Sequence, residues 1–254
     1  MPTSVESKQG DDPGTVRFTD VQDLLNVIDC TARDSLTVTS TSTRENQRRK
    51  FRFRYYDSNS RILIITITTG LHEQLHKPLY NEYFGQIRDM GLSKSWKDIA
   101  SATLSAQGYS TRRGKEGDST SGPKPKRGTK GAWPTLVIEV GISETLGELH
   151  LDMQRWFSMS NHEVKIVLLA KFDGTKILVE KWEEEMPVRP GATTTRRSLQ
   201  HPVPMFRQSI AIAQNTTTNP ISLLFLRDPG PGEGDFVISV QELEEYAENV
   251  WVEV

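Results

Sequence analysis

At 254 residues, with 35% hydrophobic and 25% charged side chains, the chain is long enough to bury one sizeable core and short for two. Cys30 is the single cysteine, which excludes an intramolecular disulfide framework and a thiolate metal cage, and favours a cytoplasmic or nuclear location over secretion. The net charge of −2 is unevenly spread: Arg44, Arg48, Arg49, Lys50, Arg52 and Arg54 crowd one segment, Arg112, Arg113, Lys115, Lys124, Lys126, Arg127 and Lys130 another, and the tail from Glu233 carries carboxylates without lysine or arginine.

Residues 1–16 are polar, lack the apolar stretch of a signal peptide and are expected to form a disordered leader. The rest, 17–254, is expected to form a single domain with loops around 112–131 and 183–204. No apolar run approaches the roughly 18 residues of a membrane span. Thr19 and Gln22 fit a capping box, and Val21, Leu24, Leu25 and Ile28 share one helical face. A Ser/Thr/Arg-rich loop from Thr37 to Arg49 leads into a hairpin, in which Phe51, Phe53 and Tyr55 alternate with Arg52 and Arg54 and the β-branched run Ile62 to Thr68 follows a polar turn.

From Leu71, apolar residues at Leu75, Leu79, Tyr83, Ile87 and Met90 recur at helical spacing up to Gly91, across Pro78. Ala102 to Ser110 reads as a second hairpin, and the Gly, Pro and Lys content of the stretch that follows predicts a loop. Pro134 to Gly141 is the strongest strand signal. Thr145 and Glu148 predict a capping box for a helix burying Leu146, Leu149, Met153, Trp156 and Phe157. Val164 to Phe172 and Lys176 to Trp182 flank Asp173-Gly174 as a hairpin, so a parallel crossover is expected between the two buried strands. Gln208 to Gln214, Ile221 to Leu226 and Phe236 to Val240 are read as further strands, with a polar turn at the Asn215-Thr216-Thr217 sequon. Ser239 and Glu242 cap a last helix. The fold class is α/β, a mixed sheet flanked by helices.

The sharpest chemical anomaly is Glu139, a carboxylate among Leu136, Val137, Ile138 and Val140. Burying it is costly unless it meets a cation. An edge strand with one wet face would also accommodate it. The His72–His76 pair reads as a helix face with two solvated imidazoles rather than a zinc-protease helix, and Trp96, Trp133, Trp156 and Trp182 read as core residues.

The order of an aspartate in Glu116-Gly117-Asp118-Ser119, then Pro134-Thr135-Leu136-Val137-Ile138-Glu139-Val140, then a helix and a second buried strand, resembles the PD-(D/E)XK nuclease superfamily. It is similar in particular to a restriction-endonuclease-like branch with a Pro-x-Leu-Val-x-Glu-Val strand, over about Phe51 to Trp182 and including His72-Glu73. The resemblance implies a restriction-endonuclease-like fold with a Mg (or Mn) site of Asp118 and Glu139; Glu73 either adds a third acid or faces solvent in the first turn of its helix, where a carboxylate is favoured anyway. It implies a nuclease acting on DNA phosphodiesters, and Arg48, Arg49, Arg52, Arg54, Lys124, Lys126 and Arg127 are the expected phosphate contacts. The chain departs from the pattern at Gly141, where relatives carry lysine two residues past the acid, and at Asp152, where others carry lysine on the helix. Lys165 and Lys171 are the candidates for a displaced amine, and Lys171 is taken with Asp118 and Glu139 as the catalytic set. The alternative is a catalytically inactive nucleic-acid- or protein-binding module on the same fold.

Overall fold

The computed structural model describes residues 51–57, 62–99, 102–106, 113–184, 206–211 and 217–252. All of these but Phe51 belong to one compact unit, Arg52–Val254. The expected leader, the helix near Thr19, Arg48, Arg49 and the loop after Glu184 lie outside the described residues.

The chain runs β1 (Phe51–Asp57), β2 (Ile62–Ile67), α1 (Gly70–Asp89), a short 3-10 turn, β3 (Trp96–Asp98), β4 (Leu104–Ser105), β5 (Arg113–Lys115), β6 (Ser119–Pro123), β7 (Leu136–Gly141), α2 (Leu146–Met159), β8 (Ile166–Phe172), β9 (Ile177–Glu183), β10 (Phe206–Ala211), β11 (Thr217–Asn219), α3 (Ile221–Phe225), β12 (Phe236–Ile238) and α4 (Val240–Trp251). Six strands form the main sheet in the order β10-β9-β8-β7-β6-β3, four form a second in the order β2-β1-β5-β4, and β11 pairs with β12. This is the α/β class expected, a mixed sheet with helices packed on it. Among the described residues, β7 and β8 are the one parallel pair of the main sheet, with α2 as the crossover between them.

Strand alternation sorts the core onto the two faces of the sheet. Leu136, Ile138 and Val140 pack with Leu75, Leu79, Tyr83 and Ile87 of α1 and with α3 and α4. Val137, Val167 and Leu169 pack on the other side against Leu149, Met153, Trp156 and Phe157 of α2. Of the three predicted capping boxes, the two that fall in the described residues form, at Thr145–Glu148 and Ser239–Glu242. The helix of Leu71 to Met90 begins at a Thr69 cap and tolerates Pro78 inside it. It stops at Gly91, whose φ of +72° suits a residue without a Cβ.

Three expectations need correction. The stretch 112–131 is no uniform loop, because β5 and β6 form within it, and β6 pairs antiparallel with β7 from Ser119↔Ile138 to Ser121↔Leu136. That pairing supplies the hydrogen bonds that local propensity does not. Within the hairpin expected at Ala102 to Ser110, Leu104 and Ser105 pair with Lys115 and Gly114, so the partner of this strand is β5, beyond the predicted bounds. Ile221–Phe225 is helical, and its buried Ile221, Leu224 and Phe225 have the i, i+3, i+4 spacing of a helix face.

Candidate metal centre

Glu139 occupies the α2 face of β7 and is 3% exposed. Its Oε1 accepts from Lys115 Nζ at 2.8 Å and from the indole Nε1 of Trp156. The lysine is entirely buried, 3.3 Å from Asp152 Oδ1, 3.3 Å from the carbonyl of Arg54 and 5.2 Å from the centroid of the Trp156 ring. β5 delivers it: Gly114 pairs with Tyr56 of β1, and the next residue turns inward. The short link from Lys115 to Asp118 then lies against Trp156, where a Cβ at Gly117 would stand 2.5 Å from Thr120 Cγ2 and 3.0 Å from Trp156 Cζ2. Glycine is required there.

Asp118 sits just before β6, with Oδ2 accepting from the Val140 amide at 2.8 Å and Oδ1 3.1 Å from Arg52 Nη1. Burial drives its carboxyl up to about 6 against the pull of Arg52 and the Val140 amide. Burial likewise lifts Glu139 to about 7; Lys115 opposes it, while Asp118 and Asp152 reinforce it. The two carboxylates thus lie within reach of each other's fields, and the cations of the chain do not fully offset their desolvation. Asp152 behaves oppositely. Burial acts against its charge too, but Lys115 and Arg54 outweigh it and hold the carboxyl below its ordinary range. Arg54 bonds Asp152 through Nε and reaches Glu144 Oε1 at 2.8 Å.

At the start of α1, Arg52 Nη2 lies 3.0 Å from Glu73 Oε1 and 3.5 Å from His76 Nε2. The solvated imidazoles expected there are not solvated: His72 and His76 are 3% and 2% exposed. Burial and the nearby Arg52 lower both histidines, His76 to about 4, so both rings are neutral. The run from His72 to His76 also has the spacing His-Glu-x-x-His, and His72 and His76 fall on the same helix face as Leu75, Leu79 and Tyr83. That shared face is the sequence signal for their burial.

No family model matches the chain, and no curated protein does. Among solved structures, a putative nuclease belonging to DUF820 from Anabaena variabilis ATCC 29413 is similar over 75% of this chain and 90% of that one, at 8% identity and a TM-score of 0.46.

Of the residues singled out by sequence, the structure brings together Asp118, Glu139, Glu73, Arg52 and Arg54. Lys171 goes elsewhere. It stands beside Gly141 in the β7–β8 register, and its amine donates to the carbonyls of Ile142 and Phe172. Lys115, missed because it lay in an apparent basic loop, is the amine found at Glu139. At Gly141 itself a Cβ would meet Leu149 Cδ1 at 3.0 Å, which leaves no room for a lysine stem unless Leu149 moves. Arg52 and Arg54 are engaged by carboxylates rather than presented to solvent. Lys124, Lys126 and Arg127 follow the far end of β6, on the order of 17 Å of strand from Asp118. There Lys126 bonds the Leu226 carbonyl and Arg127 meets Glu163 at 2.6 Å. No helix among the described residues is long and apolar enough to cross a membrane.

Proposed function

We propose that the chain is a nuclease-like, divalent-metal-dependent phosphodiesterase of the PD-(D/E)XK kind acting on DNA, in which Lys115 takes the part of the lysine absent from position 141. The observation that carries this reading is the Lys115 amine 2.8 Å from Glu139, a buried acid that also feels the charge of Asp118. The donor set suits a hard ion such as Mg²⁺ or Mn²⁺, since Asp118 and Glu139 offer carboxylate oxygens and their raised affinity for protons marks a place where further positive charge is favourable. When bound, such an ion supplies Lewis-acid stabilisation of the phosphoryl oxygens and a more acidic water. The residues of the chain do the rest. Trp156 fixes the Glu139 carboxylate, Asp152 steers the Lys115 amine towards it, and the Val140 amide orients Asp118. The wholly buried amine acts through its field, placing a fixed positive charge beside the acid that would offset charge developing on a phosphodiester in its transition state.

The test is nicking of supercoiled plasmid. Wild-type chain with Mg²⁺ or Mn²⁺ is expected to nick, and Asp118→Asn, Glu139→Gln and Lys115→Met each to slow nicking by about 10² or more. Nicking at the wild-type rate in both carboxylate variants overturns the assignment. A second reading, an inactive module that binds nucleic acid or protein, draws on the fact that Arg52 and Lys115 already partner these carboxylates and that position 141 has no amine. It predicts silence from wild type and variants alike. If DNA is its partner, binding weakens with salt at a log–log slope of roughly −0.9 per neutralised phosphate.

A further inference from the structure

The histidines at the start of α1 are bonded to Ser119, Glu73 and Arg52 rather than to Glu139 or Lys115, although the charge of Glu139 reaches His72. One donor atom from each of His72, Glu73 and His76 lies within 4.8 Å of the others. Neither ring nitrogen of His72 has a hydrogen-bond partner among the described residues, although the ring is nearly wholly buried and its Nε2 points to Asp118 Oδ1 at 3.4 Å. Leaving a buried imidazole unsatisfied is costly, and a ligand for its lone pair removes the acceptor's share of that cost. His76 is already oriented as a ligand would be. Its Nδ1 is 2.9 Å from Ser119 Oγ, an outer bond that orients the ring, and its Nε2 faces Glu73 Oε2 at 3.4 Å. Arg52 extends one guanidinium to Asp118, Glu73 and His76 together, so a cation already sits where these groups converge.

We propose that His72, Glu73 and His76, with Asp118 beside them, bind a divalent transition ion of the zinc class, for which the Arg52 guanidinium is the resident competitor. Two neutral imidazoles favour Zn²⁺, Co²⁺ or Ni²⁺ over Mg²⁺ and Ca²⁺, which prefer oxygen alone. The site goes beyond the nuclease reading: it needs neither Glu139 nor Lys115, and it stands whether or not the chain cuts DNA.

The experiment is a Co²⁺ titration of the metal-stripped full chain, followed by visible d–d absorption. One Co²⁺ per chain is expected, unmoved by about a hundredfold excess of Mg²⁺. His72→Gln and His76→Gln should each weaken binding by more than about tenfold, and Arg52→Gln should tighten it, whereas Glu139→Gln should leave the affinity unchanged. The last variant separates this site from the nuclease proposal, because it should slow nicking by about 10² or more if that proposal holds. Wild type alone supplies a further check that is independent of whether the glutamine variants fold. Zn²⁺ should shift the ¹⁵N ring signals of His72 and His76 and leave the other three of the five histidines in place. Absence of a Co²⁺ band, its loss to Mg²⁺ or to Glu139→Gln, or shifts confined to other histidines would overturn the proposal.

Discussion

Two buried glutamates share one row of the main sheet, because Glu139 pairs with Leu169 on β8 and Leu169 with Glu180 on β9. Each accepts from an indole, Glu139 from Trp156 and Glu180 from Trp182 at 2.9 Å, and each has a basic partner, Lys115 or His150. Their settings differ. The His150 side chain is 25% exposed, so water reaches that pair, whereas Lys115 is sealed between Glu139 and Asp152 and feels Asp118 close by. An acid in an apolar strand is therefore only half a signal. What distinguishes a candidate reaction centre from a structural pair is the meeting of several acids around one sealed amine.

The strongest way to break this comparison is to remove the amine. Lys115→Ala leaves Glu139 and Asp152 buried beside each other without their shared cation, and the expected loss of stability in urea denaturation is about 3–5 kcal/mol. The loss should grow with pH, since Glu139 can shed its charge by taking a proton in acid. A cost under about 1 kcal/mol at neutral pH would mean that Lys115 is not the cation holding these acids.

The next effect comes from protons rather than a mutation. Asp118 and Glu139 bind protons more tightly folded than unfolded, at about 6 and about 7. The stability they lend is fully present below the ordinary carboxylate range, near pH 4, and is lost as pH rises through 6 and 7. His72 and His76, held neutral by burial, act in the opposite sense and lend stability as pH rises towards the ordinary histidine range, so the carboxylate effect is read by difference: the stability of metal-free wild type relative to Glu139→Gln should fall as pH rises through about 7. Mg²⁺, by favouring the ionised acids, should shrink that fall. A difference that grows over the same interval would contradict the burial of Glu139.

On the Glu180 side the corresponding truncation is milder. His150→Ala keeps the Trp182 bond and opens the acid to water, so about 1–3 kcal/mol is expected, less than for Lys115→Ala under the same conditions. Equal costs would erase the distinction between the two glutamates.

How far all this was legible depends on the sequence distance over which each feature is decided. The capping boxes at the starts of α2 and α4 and the Asp173-Gly174 hairpin rest on neighbours a few residues apart, and local pattern reads them correctly. The amine does not. Lys115 arrives through pairing of Gly114 with Tyr56, and its segment looks like any basic loop until β1 lies beside it. Lys171 flanks Gly141 in the register, as its place in the sequence suggests, but its amine turns to the carbonyls of Ile142 and Phe172. The basic residues of 124–127 were grouped with Arg52 and Arg54 by charge alone. A five-residue strand is enough to carry them to the other end of the sheet.

The smallest predicted effect acts on both glutamates at once. α2 carries Trp156 and Asp152 to the Glu139 side and His150 to Glu180, and its first turn is held by the reciprocal box in which the Thr145 hydroxyl accepts from the Glu148 amide at 3.2 Å and the Glu148 carboxylate accepts from the Thr145 amide at 2.6 Å. Thr145→Ala removes one half of that box, for an expected loss of about 1 kcal/mol. If the helix responds as a rigid body, hydrogen exchange at both strands should accelerate by a similar factor, and the cost should add to that of His150→Ala within a few tenths of a kcal/mol. A cost confined to one glutamate would show that α2 can loosen at its start while still presenting the other half of its face, and the common dependence of the two sites on this helix would be wrong.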